Sequence, residues 1–242
     1  MQEISILTGR ALSTQRKFNA IADNIANVNT DGYRRKDYEF KEVISHPHGH
    51  ATASYVSDRA MVLDMDNGVM TETNSPFNVA LGGDGFFAIE VEGETQFTRR
   101  GHFVLGNDGI LQTPEGYPVL DGSLSPLQLP TNARDVQIGR DGTIATEQGQ
   151  VGKLGVFNFD ADTLPNLQRA GNVAFLAPQG STPTPVESPM VIQGKIEASN
   201  VDPVMETVTM QDASRAYQTS LQLLRTSEQL EERAIRTLSG NQ

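Results

Sequence analysis

Glycine and proline punctuate turns and break helices, and in this 242-residue chain they are confined almost entirely to the middle. Residues 3–28 hold no proline and only Gly9, and after Pro203 neither type returns before Gly240. Nearly all of the 22 glycines and 12 prolines lie between those stretches. The distribution permits a helix at each end and strands with turns in between.

The spacing of apolar residues supports both helices. Ile4, Leu7, Ala11, Thr14, Phe18, Ile21, Ile25 and Val28 alternate by three and four positions, and only Thr14 is polar. Such a heptad lays one apolar seam along a helix, the seam that a coiled-coil partner fills. The helix would run about 26 residues, or roughly 39 Å. At the other end Asp202 is a natural N-cap, and Pro203 sits at the first helical position, where its missing N–H costs nothing. That helix can reach about Leu238, roughly 54 Å. It carries two adjacent seams. One is Ala213, Ala216, Ser220, Leu223, Ser227, Leu230 and Ala234; the other is Tyr217, Leu221, Leu224, Ile235 and Leu238, interrupted by Glu228 and Glu231. Both helices exceed the mean globular length of about 11–12 residues, and sustained heptads favour helix bundling over cover for a sheet.

Three asparagines, Asn24, Asn27 and Asn29, crowd the end of the first helix, just before Asn29-Thr30-Asp31-Gly32. Asparagine is a mediocre helix former, so these side chains are expected to have hydrogen-bonding work, either closing the helix or bonding across to another chain. Residues 31–76 read as a polar, extended connector. Residues 77–199 read as an all-β domain: short runs such as Phe86–Val91, Thr143–Thr146 and Leu154–Phe159 are separated by Asn107-Asp108-Gly109, Glu115-Gly116, Asp121-Gly122 and Asp141-Gly142. Asp-Gly between apolar runs marks a hairpin, because glycine supplies positive φ. The expected fold is α+β. An N-terminal helix (1–30) and a C-terminal helix (200–242) pair into a coiled-coil-like unit, and the β domain is inserted between them.

Composition narrows the function. The chain has no cysteine, which excludes disulfides, thiolate zinc sites and cysteine nucleophiles. A net charge of −11 argues against nucleic acid as a partner. No apolar run approaches the ~20 residues of a membrane-spanning helix, so the protein is not expected to be membrane-embedded. Met1-Gln2-Glu3-Ile4-Ser5 has neither a basic n-region nor an apolar h-region, so no cleavable secretory signal is expected. His46, His48 and His50 alternate in a Pro- and Gly-containing loop. They are read as a solvated loop, since a metal site needs fixed supporting partners. Gly82-Gly83-Asp84-Gly85 lacks the Lys-Ser/Thr of a phosphate loop, and no Gly-x-Ser-x-Gly elbow occurs. No catalytic residue and no cofactor is expected. The first 41 residues hold seven Lys/Arg against five Asp/Glu, including Arg34-Arg35-Lys36, a mild asymmetry that could steer one subunit onto the acidic surface of another.

Three blocks in order carry a resemblance. Asn24-Ile25-Ala26-Asn27-Val28-Asn29-Thr30-Asp31-Gly32-Tyr33 closes the first helix. Pro76 through Phe87, followed by Phe97-Thr98-Arg99-Arg100-Gly101-His102-Phe103, opens the β domain. Gly194 through Asp202, continuing to Arg215-Ala216-Tyr217, leads into the last helix. Together they resemble the bacterial flagellar rod and hook family of axial proteins. Length, the short connector and Asp202-Pro203-Val204 look most like its proximal-rod type; Arg215-Ala216-Tyr217 and Ile138-Gly139-Arg140-Asp141-Gly142 look like its distal-rod type. The resemblance implies a structural subunit of the periplasm-spanning rod of the basal body. Such a subunit is exported unfolded by the flagellar type III apparatus and polymerises with itself and other axial proteins around a channel. It transmits torque from motor to hook and catalyses nothing. The residues expected at subunit contacts are Ile4, Leu7, Phe18, Ile21, Ile25, Leu223, Leu224 and Leu230 on the helices, with Arg215 and Tyr217. Asn24, Asn27, Asn29 and Asn200 are expected to supply polar pinning. The different-class alternative is a glycan-binding or enzymatic β domain with helical arms; it would need a ligand-sized pocket holding perturbed carboxylates.

Overall fold

Both terminal stretches are helical: α1 spans Gln2–Ala26 and α2 spans Pro203–Ser239. A computed structural model describes the backbone of residues 2–45, 53–130 and 135–239. It describes side chains there except at 2–7, 10, 38–45, 53–61, 228, 231, 232, 234, 235 and 237–239. Asp202 starts α2 as its position predicts, its Oδ1 accepting the N–H of Val204 at 2.8 Å and of Met205 at 3.1 Å. The architecture is α+β and rich in antiparallel strands, with the strand-rich part inserted between the helices in the chain.

The chain divides into two units. One comprises Met1–Ala26, Arg35–Asp64 and Asp202–Gln242. In it α1 lies against α2, with the last turn of α1 beside the first turn of α2, so the helices run antiparallel. Most side chains buried on these helices are small, Ala11, Ser13 and Ala20 on α1 and Ala213 and Ser220 on α2, with Ile21 the large apolar exception. Small side chains let helix axes approach closely. The rest of this unit is a long hairpin. Strand β1 (Lys36–Ser45) pairs antiparallel with β2 (Ala53–Leu63), and both strands lie against α1. Within 31–76, expected as an extended connector, the chain is thus extended over two strands that pair with each other.

The second unit comprises Asn27–Arg34 and Met65–Val201. Its entry and exit strands pair: β3 (Met70–Glu72) with Lys195–Glu197, and β4 (Val79–Leu81) with Val191–Gln193, both antiparallel. The central sheet has six strands, in the order Gln168–Ala170, Ala174–Leu176, β6 (Glu94–Thr98), β5 (Phe86–Val91), Val156–Asn158 and Thr184–Pro185. Side chains alternate across β5, and both faces are buried. Phe87 and Ile89 enter the main core with Phe103, Leu111 and Ile144. Phe86 meets Phe159 and Phe175 edge-to-face at 5.9 and 5.7 Å. Three of the four expected turns place their glycine at positive φ (Gly109, Gly116 and Gly142). The fourth does not. There Asp121 Oδ1 gathers the N–H groups of Ser123 and Ser125, and Leu124 takes the left-handed conformation at φ 61°.

Candidate assembly surface and its anchors

Helix geometry splits the first expected seam of α2. Residues three apart are offset by about 60° around a helix, so a chain of three- and four-residue steps occupies a broad strip rather than a line. Ala213 and Ser220 on one edge are buried and Ser227 is half-buried. Ala216, Leu223 and Leu230 on the other edge are exposed, Leu223 at 48% and Leu230 at 60%. Met205 and Val208 extend this open apolar strip at 62% and 51%, and Val204 is exposed at 71% on a neighbouring face. Tyr217 and Leu224 are half-buried beside the covered edge, and Arg215 is exposed. On α1, Ile21 is buried, Phe18 and Ile25 are half-buried, and Leu12 is exposed at 52%. The side chains of Ile4, Leu7, Ala234, Ile235 and Leu238 lie outside the described residues.

Asn24 is fully buried and does its bonding inside the subunit. Its amide mimics a strand neighbour: Oδ1 accepts the Lys36 N–H at 2.9 Å, and Nδ2 donates to the Lys36 carbonyl at 2.9 Å. Nδ2 also lies 3.3 Å from Glu206 Oε1, which accepts from Arg35 Nε at 2.5 Å. One asparagine therefore joins the end of α1 to the start of β1 and the first turn of α2. Burial works against the charge of Arg35, but the hydrogen bond and charge of Glu206, helped by Asp37, outweigh it and raise its pKa above the ordinary value. Lys36 Nζ pairs with Asp23 at 2.6 Å.

The other asparagines belong to the second unit. The carbonyl and Oδ1 of Asn27 accept from the backbone and hydroxyl of Thr30 at 3.1 and 3.2 Å, closing a turn after α1. Asn200 Nδ2 donates to the Asp66 carbonyl at 2.9 Å. Asn29 is exposed.

A buried ion cluster near these residues escapes the sequence reading. Glu197 is 1% exposed, and Arg34 and Arg99 are each 2% exposed. Arg34 Nη2 meets Glu197 Oε1 at 2.7 Å, and Arg99 Nε meets Oε2 at 3.0 Å. Gly68 N–H donates to Oε1 at 2.9 Å. The remaining guanidinium donors are satisfied by carbonyls and by Asn67: Arg34 reaches Asp66, and Arg99 reaches Gly83 and Gly85. A cavity of about 280 Å³ lies beside the two arginines, but their hydrogen bonds are already made within the protein.

The larger cleft of this unit, about 570 Å³, is lined by Ile89, Gln96, Arg100, Glu115 and Tyr117 among others. Burial pushes the Glu115 carboxyl up. Hydrogen bonds from Arg100, its own backbone and Thr113 overcome that and hold it below the usual carboxylate range. The Glu115 carboxylate is thus held ionised and paired with Arg100. Among the described residues no three His, Asp or Glu side chains are placed to hold a metal, and no helix is long and apolar enough to cross a membrane. His46, His48 and His50 lie outside the described residues.

Comparison with known proteins matches three family models in chain order: flagella basal body rod protein over residues 6–34, flagellar hook protein FlgE/F/G D1 domain over 80–146, and flagellar basal body rod FlgEFG protein C-terminal over 192–237. The flagellar basal-body rod protein FlgF of Mesorhizobium japonicum is 33% identical over 230 residues, covering 95% of this chain and 94% of its own. FlgF of Rhizobium meliloti is 34% identical over 233 residues, covering 95% of each. The rod protein FlgG of Bacillus subtilis is 29% identical over 242 residues, covering 89% of this chain and 91% of its own.

Proposed function

This chain belongs to the flagellar basal-body rod protein family, and from that premise we propose that it polymerises helically through its terminal helices around the export channel. It is a structural subunit of the flagellar basal body, of the proximal-rod type, and not an enzyme. Two FlgF relatives at 33% and 34% identity, against 29% for FlgG, support proximal over distal rod.

The observation that carries the reading is the open apolar strip of α2. Val208, Leu223 and Leu230 stay exposed next to the edge of α2 that the subunit itself covers. A helix with one covered and one uncovered apolar edge can take a second helical neighbour. In the rod, α1 and α2 form a coiled-coil-like pair, and the strip packs against the helices of the next copy or of another axial protein. Phe18, Ile25, Tyr217 and Leu224, half-buried within the subunit, complete that contact, and Arg215 lies on its polar margin. The helices transmit torque along the tube. The subunit leaves the cell uncleaved and unfolded through the type III exporter, and the absence of cysteine removes one obstacle to that passage. Before assembly the exposed strips leave both helices only marginally stable, and they order fully when neighbours cover them.

Limited proteolysis of the purified monomer, read by mass spectrometry, tests this. Loss of both helices around a resistant strand-rich core is the expected result. Full resistance of α1 and α2 would refute ordering on assembly.

A further inference from the structure

The buried cluster of Glu197, Arg34 and Arg99 does more than fill the β unit. It assigns the eight residues that follow α1 to that unit. Asn27–Arg34 follows α1 directly yet groups with Met65–Val201. The attachment is continuous. Gly32 N–H donates to the Glu197 carbonyl at 2.7 Å. Tyr33 is fully buried, and the Arg169 guanidinium stacks 4.5 Å from its ring centre while donating to the Arg34 carbonyl at 2.7 Å. Arg34 then enters the ion cluster. Gly32 admits no side chain: its φ is 69°, and a Cβ would stand 2.4 Å from the Arg100 nitrogen. At the exit, Val201 is buried in the same unit, and the next residue, Asp202, caps α2.

We infer that this clasp is a helix-seeding device. The β unit holds ordered the closing turn of α1, and it ends one residue before the N-cap of α2. The first turn is the unfavourable step in making a helix, and each later residue adds with little cost. A chain whose helices have melted still keeps, at the edge of a folded β unit, the turn Asn27–Thr30 against which α1 closes and the buried residue from which α2 begins. Helix growth on assembly starts from those two points. The limit of order in the monomer then falls at Ala26/Asn27 and Val201/Asp202. This rests on the reading that the helices order on assembly, but the clasp itself is separable from it.

The test is hydrogen exchange by mass spectrometry on the full-length monomer, wild type against Arg34→Met. That variant removes one cation and leaves Arg99 paired with Glu197. In the wild type, the bonded amides of Thr30, Gly32 and Tyr33 are expected to exchange as slowly as Ala88 and Leu120 of the β core, and more slowly than the amides of α1. In Arg34→Met, residues 30–33 are expected to exchange at least about tenfold faster, because buried charge-assisted hydrogen bonds are lost, while Ala88 and Leu120 stay unchanged. Wild-type exchange of residues 30–33 at the rate of α1 overturns the inference. So does unaltered protection in the variant, or a β core that melts together with residues 30–33. Slow exchange along all of α1 would instead count against ordering on assembly, and the comparison with Arg34→Met would still decide the clasp.

Discussion

Replacing Leu223 with aspartate separates the two stabilities this protein must have, its own and that of the polymer. In the subunit Leu223 keeps 48% of its surface in water. A fully buried leucine contributes about 1.5–3 kcal/mol, so covering the remaining half at an interface is worth about 0.7–1.5 kcal/mol for each subunit. Aspartate forfeits that and adds the penalty for desolvating a carboxylate, several kcal/mol. The combined loss is about 4 kcal/mol or more, and at 1.4 kcal/mol per decade that weakens the contact about a thousandfold. Within the isolated subunit the position is wet, and the change amounts to a helix-propensity difference of roughly 0.5 kcal/mol. The assay is swimming in soft agar of a strain lacking the native gene and supplied with the variant, with a thermal melt of the purified protein alongside. Gln218→Asp, which puts the same charge on another exposed face of α2, is the control and is expected to swim. Loss of swimming with an unchanged melt is the expected outcome for Leu223→Asp. If that variant swims like the wild type, the open strip is not an assembly contact and the reasoning fails.

The ion cluster makes a second prediction: Glu197→Gln leaves two buried guanidiniums without an anion and should destabilise the β unit by about 3–5 kcal/mol, read by urea unfolding followed by circular dichroism. Gly32→Ala should cost more than about 2 kcal/mol in the same experiment, since the left-handed backbone alone costs roughly 1–2 kcal/mol and the added Cβ meets the backbone of Arg100. The lowered pKa of Glu115 also has a stability consequence. Its ionised form is favoured by folding, so the Arg100 pairing stabilises fully above the unfolded-state value near 4.5 and is lost as pH falls through the lower folded value. Glu115→Gln should therefore lower the melting temperature above about pH 5 and leave it nearly unchanged at acid pH, where the wild-type carboxyl is itself protonated, so the acid side of the profile flattens, a result checked by calorimetry.

The parts of the fold legible in the sequence are those built on periodicity and caps. Asp202 and Pro203 mark the start of α2, and Phe86–Val91 and Thr143–Thr146 read as strands over the ranges they occupy. The β1–β2 hairpin does not announce itself, and its pairing explains why. Tyr38 opposes Met61 while Phe40 opposes Asp58, so β2 carries an extra residue there and the register shifts. A bulge moves the alternation by one residue, and the period-two pattern that marks a strand breaks in its middle. The short edge strands Gln168–Ala170 and Thr184–Pro185 are held by their neighbours in the sheet rather than by any pattern of their own. The candidate interface was legible as a set of seams but not as faces. Which edge of a broad strip the subunit covers depends on where α1 lies, and that is tertiary information.

The ion cluster was hidden for a different reason, and it changes how the basic run should be read. A triplet such as Arg34-Arg35-Lys36 looks in sequence like a solvated cationic turn, able to draw a subunit toward an acidic neighbour. In the fold, each of the three cations finds an anion within its own unit. Arg34 is buried against Glu197, Arg35 is held by Glu206, and Lys36 pairs with Asp23. Consecutive arginines thus go to two different buried glutamates that stand nine positions apart near the other end of the chain. The change of unit falls between Arg34 and Arg35. Charges paired in this way project less field than a solvated cationic run would. What they supply is placement. A buried glutamate fixes the geometry of the guanidiniums it binds and penalises a slipped one, since a displaced arginine loses its buried charge-assisted hydrogen bonds. Two such contacts on adjacent residues fix to within one residue where the chain leaves one unit and joins the other. Apolar seams, which tolerate sliding by a heptad, would not enforce that limit.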